Sequence, residues 1–238
     1  NLPEGFHSIS ATALNTALAE TAPFLVDVRE PADYEADHIA GAINLPIRDF
    51  LKNLDKLPAQ DQPIVIYCAS GHRGGYAMAA LQLLGYTDVK NLGGGIGAWK
   101  KAELPVVTEA TEAVAGTAPA VYPIRFEALD GFLTSLPEGF RTISAANLNT
   151  LLAEKAPFVL DVRTAEEAAA DGVIEGSVLI PVVELWTRLS ELPQDKAAPI
   201  VILCKSGHRG AIAQMALMMN GYTDVLNLGG GLNAWIAA

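Results

Sequence analysis

The sequence predicts an α/β protein of two tandem domains, each a mainly parallel sheet of about five strands with helices on both faces. Three observations predict it. The chain repeats itself once, strand and helix signals alternate within each repeat, and the strand candidates are apolar runs rather than apolar–polar alternations. A strand that is apolar throughout is covered on both sides, which is the mark of a parallel sheet between helices.

The repeat is the firmest of the three. Residues 2–29 align without gaps to 136–163, with 20 of 28 positions identical. "GYTDVKNLGGGIGAW" (85–99) matches "GYTDVLNLGGGLNAW" (221–235) at 12 of 15 positions. Two single-residue slips separate the copies: the offset is 134 at first, 135 at Pro46/Pro181 and 136 at Cys68/Cys204. Repeats of about 100 residues have the size of domains, not of solenoid units. The boundaries are 1–104 and 136–238. Between them, 105–135 reads as a linker rich in Ala, Thr, Glu and Pro that wanders over a surface. It ends in a short amphipathic helix, "RFEALDGFLTS" (125–135), leading into the second copy.

Within the first copy, "SATALNTALAET" (10–21) is a helix with Ser10 as its N-cap. "FLVDV" (24–28) and "PIVIY" (63–67) are buried strands, and "AINLP" (42–46) and "VKNL" (89–92) are weaker ones. "GGYAMAALQLLG" (74–85) is a helix closed by Gly85 at C′, and "GIGAWKKA" (95–102) a shorter helix. In such a sheet the active site is expected at the carboxyl ends of the strands. "NLGGG" (91–95, 227–231) lacks the lysine and hydroxyl of a phosphate loop and is read as a tight strand-to-helix turn. Trp99 and Trp235 are read as core, and the repeated "LPEGF" as a turn into the first helix.

Composition narrows the function. A net charge of −11, made of −4 in each copy and −3 in the stretch between them, argues against a nucleic-acid partner. No run approaches the roughly 20 apolar residues of a membrane span, so a soluble chain without membrane insertion is expected. No signal peptide is visible. Residue 1 is Asn rather than Met, so the N-terminus is read as trimmed, with a helix like 125–135 once preceding it, and the compartment, cytoplasmic or extracytoplasmic, is left open. Two distant cysteines make neither a disulfide framework nor a structural zinc site.

Those two cysteines carry the chemistry. Cys68 directly follows "PIVIY", and Ala69-Ser70-Gly71-His72-Arg73 leads from it into a helix N-terminus. Backbone N–H groups of such a loop, the helix dipole and Arg73 together make an anion cradle. That field favours thiolate, the nucleophilic form of cysteine, and suits attack on electrophilic sulfur or phosphorus. A cysteine kept only for packing needs no hydrophilic loop behind it. Yet Ser206, Gly207, His208, Arg209 and Gly210 follow Cys204 in register. His72 and Ser70 also suit a turn. Asp27 and Arg29, with Asp161 and Arg163, lie at the same sheet edge, where they could brace the loop by ion pairing or belong to the pocket; they are read as bracing it. His38 aligns with Val173, which excludes an essential role common to both copies.

Three ordered motifs resemble the rhodanese family: "LVDVREPADYEADHIAGAINLP", "IVIYCASGHRG" and "GYTDVKNLGGGIGAW", matched in the second copy by "VLDVRTAEEA", "IVILCKSGHRG" and "GYTDVLNLGGGLNAW". The resemblance covers all but the linker. It implies a sulfurtransferase in which Cys68 and Cys204 carry a persulfide, taking sulfur from a small anionic donor such as thiosulfate and giving it to cyanide, a thiol or a protein thiol. It implies no metal or organic cofactor. Loop amides with Arg73 or Arg209, and Ser70, Gly71, His72, Lys205, Ser206, Gly207 and His208, would form the substrate pocket. Related phosphatases separate cysteine from arginine by five residues. Four stand between them here, the sulfur-transfer spacing. Familiar two-domain sulfurtransferases commonly keep the cysteine only in the C-terminal domain, whereas both copies retain it here. A second reading, from another class, is a sulfur-relay or redox-sensing module that binds protein partners. Ala69 is replaced by Lys205 in the second loop, which predicts a stronger preference there for anionic donors if the lysine faces the pocket.

Overall fold

The computed structural model describes residues 4–113, 116 and 118–238. Asn1, Leu2 and Pro3, on which the trimmed-start reading and part of the first "LPEGF" rest, lie outside the described residues. So do three residues of the linker. The chain divides into two compact units, Glu4–Pro137 and Glu138–Ala238.

The first unit contains β1 (Ser8–Ile9), α1 (Ala11–Glu20), β2 (Phe24–Asp27), α2 (Pro31–Ala36) and β3 (Ile43–Asn44). A 3-10 stretch (Phe50–Lys56) leads to β4 (Ile64–Tyr67), α3 (His72–Leu83), β5 (Val89–Leu92), α4 (Gly95–Lys101) and α5 (Pro123–Thr134). Its five strands are all parallel, in the order β1-β5-β4-β2-β3. Strand β4, which Cys68 directly follows, is therefore the middle strand, and all four of its residues are buried. Ser10 caps α1 through a 3.2 Å bond from the Ala13 amide. Leu14, Leu25, Val65, Leu92, Ile96 and Trp99 form the core under α1 and α4. Val26, Ile64 and Ile66 alternate to the other face, where α3 lies.

The second unit repeats the plan with β6 (Thr142–Ile143), α6 (Ala145–Glu154), β7 (Phe158–Asp161), α7 (Ala165–Asp171) and β8 (Val178–Leu179). Then come β9 (Ile200–Leu203), α8 (His208–Met219), β10 (Val225–Leu228) and α9 (Gly231–Ile236). The order is β6-β10-β9-β7-β8, again parallel. Trp235 packs partly buried against its core.

Three local results differ from the sequence reading. The helices after the cysteine loops begin at His72 and His208, so each histidine is a first-turn residue rather than a loop residue. The two-residue edge strands β1 and β6 and the short α2 carry too few residues to show a period. The connecting segment is also fastened more firmly than its composition suggests. His38 and Val107 exchange backbone hydrogen bonds at 2.9 Å, and His38 Nε2 lies 3.0 Å from the Glu109 carbonyl. The Thr111 amide donates to Tyr34 Oη at 3.0 Å. Helix α5 buries Leu129 and Leu133 and sets Phe132 edge-on to Tyr76 of α3, while Arg48 donates to the carbonyls of Leu136 and Pro137. The fasteners Tyr34, His38 and Arg48 align with Ala168, Val173 and Val183 in the second copy. What holds the linker is thus peculiar to the first domain.

Candidate active site

Cys68 and Cys204 each follow the last residue of the middle strand, and both are free and buried. Gly71 and Gly207 stand three residues on, at the N-caps of α3 and α8, with φ of +90° and +97°. That left-handed conformation is open to glycine at little cost. It turns the amide of Gly71 onto Cys68 Sγ at 3.2 Å, and that of Gly207 onto Cys204 Sγ at 3.1 Å. Each sulfur therefore accepts an N–H bond at the positive end of a twelve-residue helix.

Two neighbours hold the loop in that shape. Asn91 Nδ2 donates to the Gly71 carbonyl at 2.7 Å, and Asn227 Nδ2 to that of Gly207 at 2.8 Å. Both asparagines are fully buried on strands paired with the cysteine strand. A Cβ on Gly74 or Gly210 would meet the asparagine Oδ1 at 2.2 or 2.1 Å, which explains the glycine after each arginine. The second neighbour is the "NLGGG" turn. Ile96 and Gly97 donate their amides to the carbonyls of Cys68 and Ala69 at 2.8 and 3.0 Å. Leu232 and Asn233 do the same for Cys204 and Lys205 at 2.8 and 3.1 Å. A Cβ on Gly95 or Gly231 would lie 2.2 or 2.3 Å from the cysteine carbonyl oxygen. The glycine run is thus a tight turn, as read, and also the clamp of the cysteine loop. Sequence reasoning missed the asparagines; the signal available was their recurrence, in register, in "NLGGG".

The other candidates fall into place around this frame. Ser70 is exposed, Ser206 is partly so, and both histidines are buried, His72 edge-on to Tyr76 at 4.6 Å. Arg73 and Arg209 are buried in the first helical turn. Arg209 forks onto Glu167 of α7, Nη1 to Oε2 at 2.5 Å and Nη2 to Oε1 at 2.7 Å. Burial pulls the Arg209 pKa down, but the Glu167 hydrogen bond and the charges of Cys204, Glu167 and Asp161 reverse this and leave it raised. The hydrogen bonds from Arg209 are the main reason the Glu167 carboxyl is held down at about 2.

Asp27 and Arg29 form a buried pair at 2.7 Å, and Arg29 Nη2 also donates to the Asp37 carbonyl just past α2. Arg163 pairs with Asp161 at 2.6 Å and donates to the Gly172 carbonyl at 2.7 Å. These bonds brace the strand end against α2 and α7, one element away from the cysteine loop. Lys205 sits half-exposed with its ammonium 3.1 Å from Asp171 Oδ2. In the first copy the corresponding Asp37 is met instead by Lys100 of α4, where the second copy has Ile236. The same aspartate thus receives a lysine from a different element in each copy.

A cysteine at the carboxyl end of the middle strand of a parallel five-stranded sheet, facing a helix N-terminus, defines a class of α/β domains. The chain belongs to the rhodanese-like domain family, which matches it over residues 10–102 and 144–238. A sulfurtransferase of Allochromatium vinosum is 39% identical over 102 residues, covering 42% of this chain and 94% of that protein. The thiosulfate sulfurtransferase PspE of Escherichia coli is 36% identical over 70 residues, 29% of this chain and 67% of PspE. An uncharacterized protein of Synechocystis is 38% identical over 101 residues, 42% of this chain and 55% of that protein's length. Among solved structures, a rhodanese-related protein of Thermoplasma volcanium is 34% identical, covering 43% of this chain and 99% of that one, with a TM-score of 0.39. Among the described residues, no helix is long and apolar enough to cross a membrane.

Proposed function

We propose that the chain is a sulfurtransferase with two centres, Cys68 and Cys204, each working through a cysteine persulfide. The observation that carries this reading is the N–H of Gly71 or Gly207 on the cysteine sulfur, built identically in both copies from a clamped loop. The thiolate attacks the outer sulfur of a donor such as thiosulfate. A new S–S bond forms, the donor S–S bond breaks, and sulfite leaves with the bonding electrons. The persulfide keeps one negative charge, opposite the loop amide and helix N-terminus. Cyanide or a thiol then attacks the outer sulfur and releases the cysteine thiolate. Only the cysteine and its cradle enter these steps, so no metal or organic cofactor is needed for them.

Intact mass after thiosulfate treatment tests this reading, with about 32 Da expected per loaded cysteine and none in the Cys68→Ser/Cys204→Ser variant. Thiosulfate:cyanide transfer should persist in either single variant and vanish in the double one. Full activity of the double variant would overturn the reading.

A further inference from the structure

The cations of the second loop are not left open to a donor. Arg209 and Lys205 are both met by carboxylates of one short helix, α7: Arg209 by Glu167 through two bonds, Lys205 by Asp171. A forked pair of this kind fixes the plane of the guanidinium as well as its charge. Glu167 is itself held from behind. The Thr164 amide donates to Glu167 Oε2 at 3.0 Å and the Glu167 amide to Thr164 Oγ1 at 3.3 Å, a complete capping box. Arg163, locked on Asp161, also donates to the Glu167 carbonyl at 3.4 Å. The carboxylate therefore has little freedom to swing away when an anion arrives. It is tied to the site through one guanidinium, since Arg209 interacts electrostatically with both Glu167 and Cys204. In the first copy this helical position is Asp33, one methylene shorter and exposed, and the loop position of Lys205 is Ala69.

We propose that Glu167 is a specificity-determining residue of the second centre, a fixed negative charge on Arg209 that selects monoanionic sulfur donors over dianionic ones. The proposal rests on the sulfurtransferase reading. Thiosulfate brings two negative charges; an alkyl thiosulfonate, R–SO2–S⁻, brings one and delivers the same sulfur. In that transfer the cysteine thiolate bonds to the terminal sulfur, the S–S bond breaks, and the sulfinate R–SO2⁻ leaves with the electron pair. Repulsion from Glu167 acts on both donors in proportion to their charge, so it weighs about twice as heavily on thiosulfate as on the thiosulfonate. The lysine substitution alone suggested a preference for anionic donors if the lysine faces the pocket; its ammonium lies 3.1 Å from Asp171 Oδ2.

The test uses the full chain with Cys68→Ser, so that Cys204 alone reports, with and without Glu167→Gln. Glutamine preserves the capping box. Removing the charge should raise kcat/KM for thiosulfate about tenfold, mostly through KM, and that for methanethiosulfonate only about threefold, since a partly screened unit charge acts on half the donor charge there. Glu167→Asp, which keeps the charge, should stay close to the parent in this ratio and guards against a folding effect of the amide. With Cys204→Ser instead, Glu167→Gln should leave the donor ratio of the first centre unchanged. A thiosulfate-to-thiosulfonate ratio that does not move, or a parallel fall for both donors, overturns the proposal and reduces Glu167 to a brace. Absence of any 32 Da adduct on Cys204 with both donors would instead defeat the sulfurtransferase reading itself.

Discussion

The Asn91 side-chain amide donates to the Gly71 carbonyl at 2.7 Å, alongside the Gly75 amide at 3.1 Å, and so anchors the residue whose own N–H, one peptide earlier, faces the cysteine sulfur. Asn227 and Gly207 repeat the relationship. Replacing Asn91 or Asn227 by Ala removes that donor while the Gly75 or Ala211 amide still bonds the carbonyl, at a cost of about 0.5–1.5 kcal/mol. The persulfide yield should fall at the altered centre only. Urea unfolding and adduct mass on the single-cysteine backgrounds measure both effects.

Gly231 has a φ of +59° and its would-be Cβ lies 2.3 Å from the Cys204 carbonyl oxygen. Gly231→Ala must therefore move the loop or the turn. Backbone strain alone costs on the order of 1–3 kcal/mol, and the displacement reaches the Gly207 amide. We expect Cys204 to lose most of its sulfur loading while Cys68 keeps its own, read by peptide mass mapping after thiosulfate treatment.

The Asp161–Arg163 pair is fully buried. Arg163→Met leaves the buried Asp161 carboxyl without its partner, and breaking such a pair costs about 3–5 kcal/mol. The exposed pairs of Arg188 with Glu184 and Glu191 offer the contrast. Arg188→Ala should move the urea midpoint far less, since water screens those charges.

Glu167 titrates near 2 in the folded chain against an ordinary value of 4.5, chiefly through its hydrogen bonds to Arg209. A depressed carboxylate pKa contributes stability that is complete above the unfolded value and is lost as pH falls from there through the folded one. The stability difference between the unaltered chain and Glu167→Gln should be constant from pH 7 to about 5. It should then shrink steadily toward pH 2. Urea unfolding at stepped pH checks this, and a difference that grows on acidification would contradict it.

His38 joins α2 to residues 107–109 through backbone and ring. His38→Ala should release that stretch, and limited proteolysis should then cut near Val107 faster than in the unaltered chain, with the second centre unaffected.

The sequence by itself determined a good deal of this protein. Duplication, apolar strand runs and capping residues are local or periodic signals, so they were readable for α1, β2, β4, α3 and α4. The paired cysteine loops were readable for the same reason: strand, polar loop and helix start lie within one short stretch. The tertiary structure alone decided what surrounds them. Asn91 lies 23 residues from Cys68, and the carboxylate of Glu167 meets Arg209 across 42 residues of chain. Such pairings depend on which strands become neighbours and on which helix flanks them, and no spacing along the chain encodes it. The same holds for Lys205: sequence placed a charge beside the cysteine, and only the packing of α7 showed which carboxylate answers it.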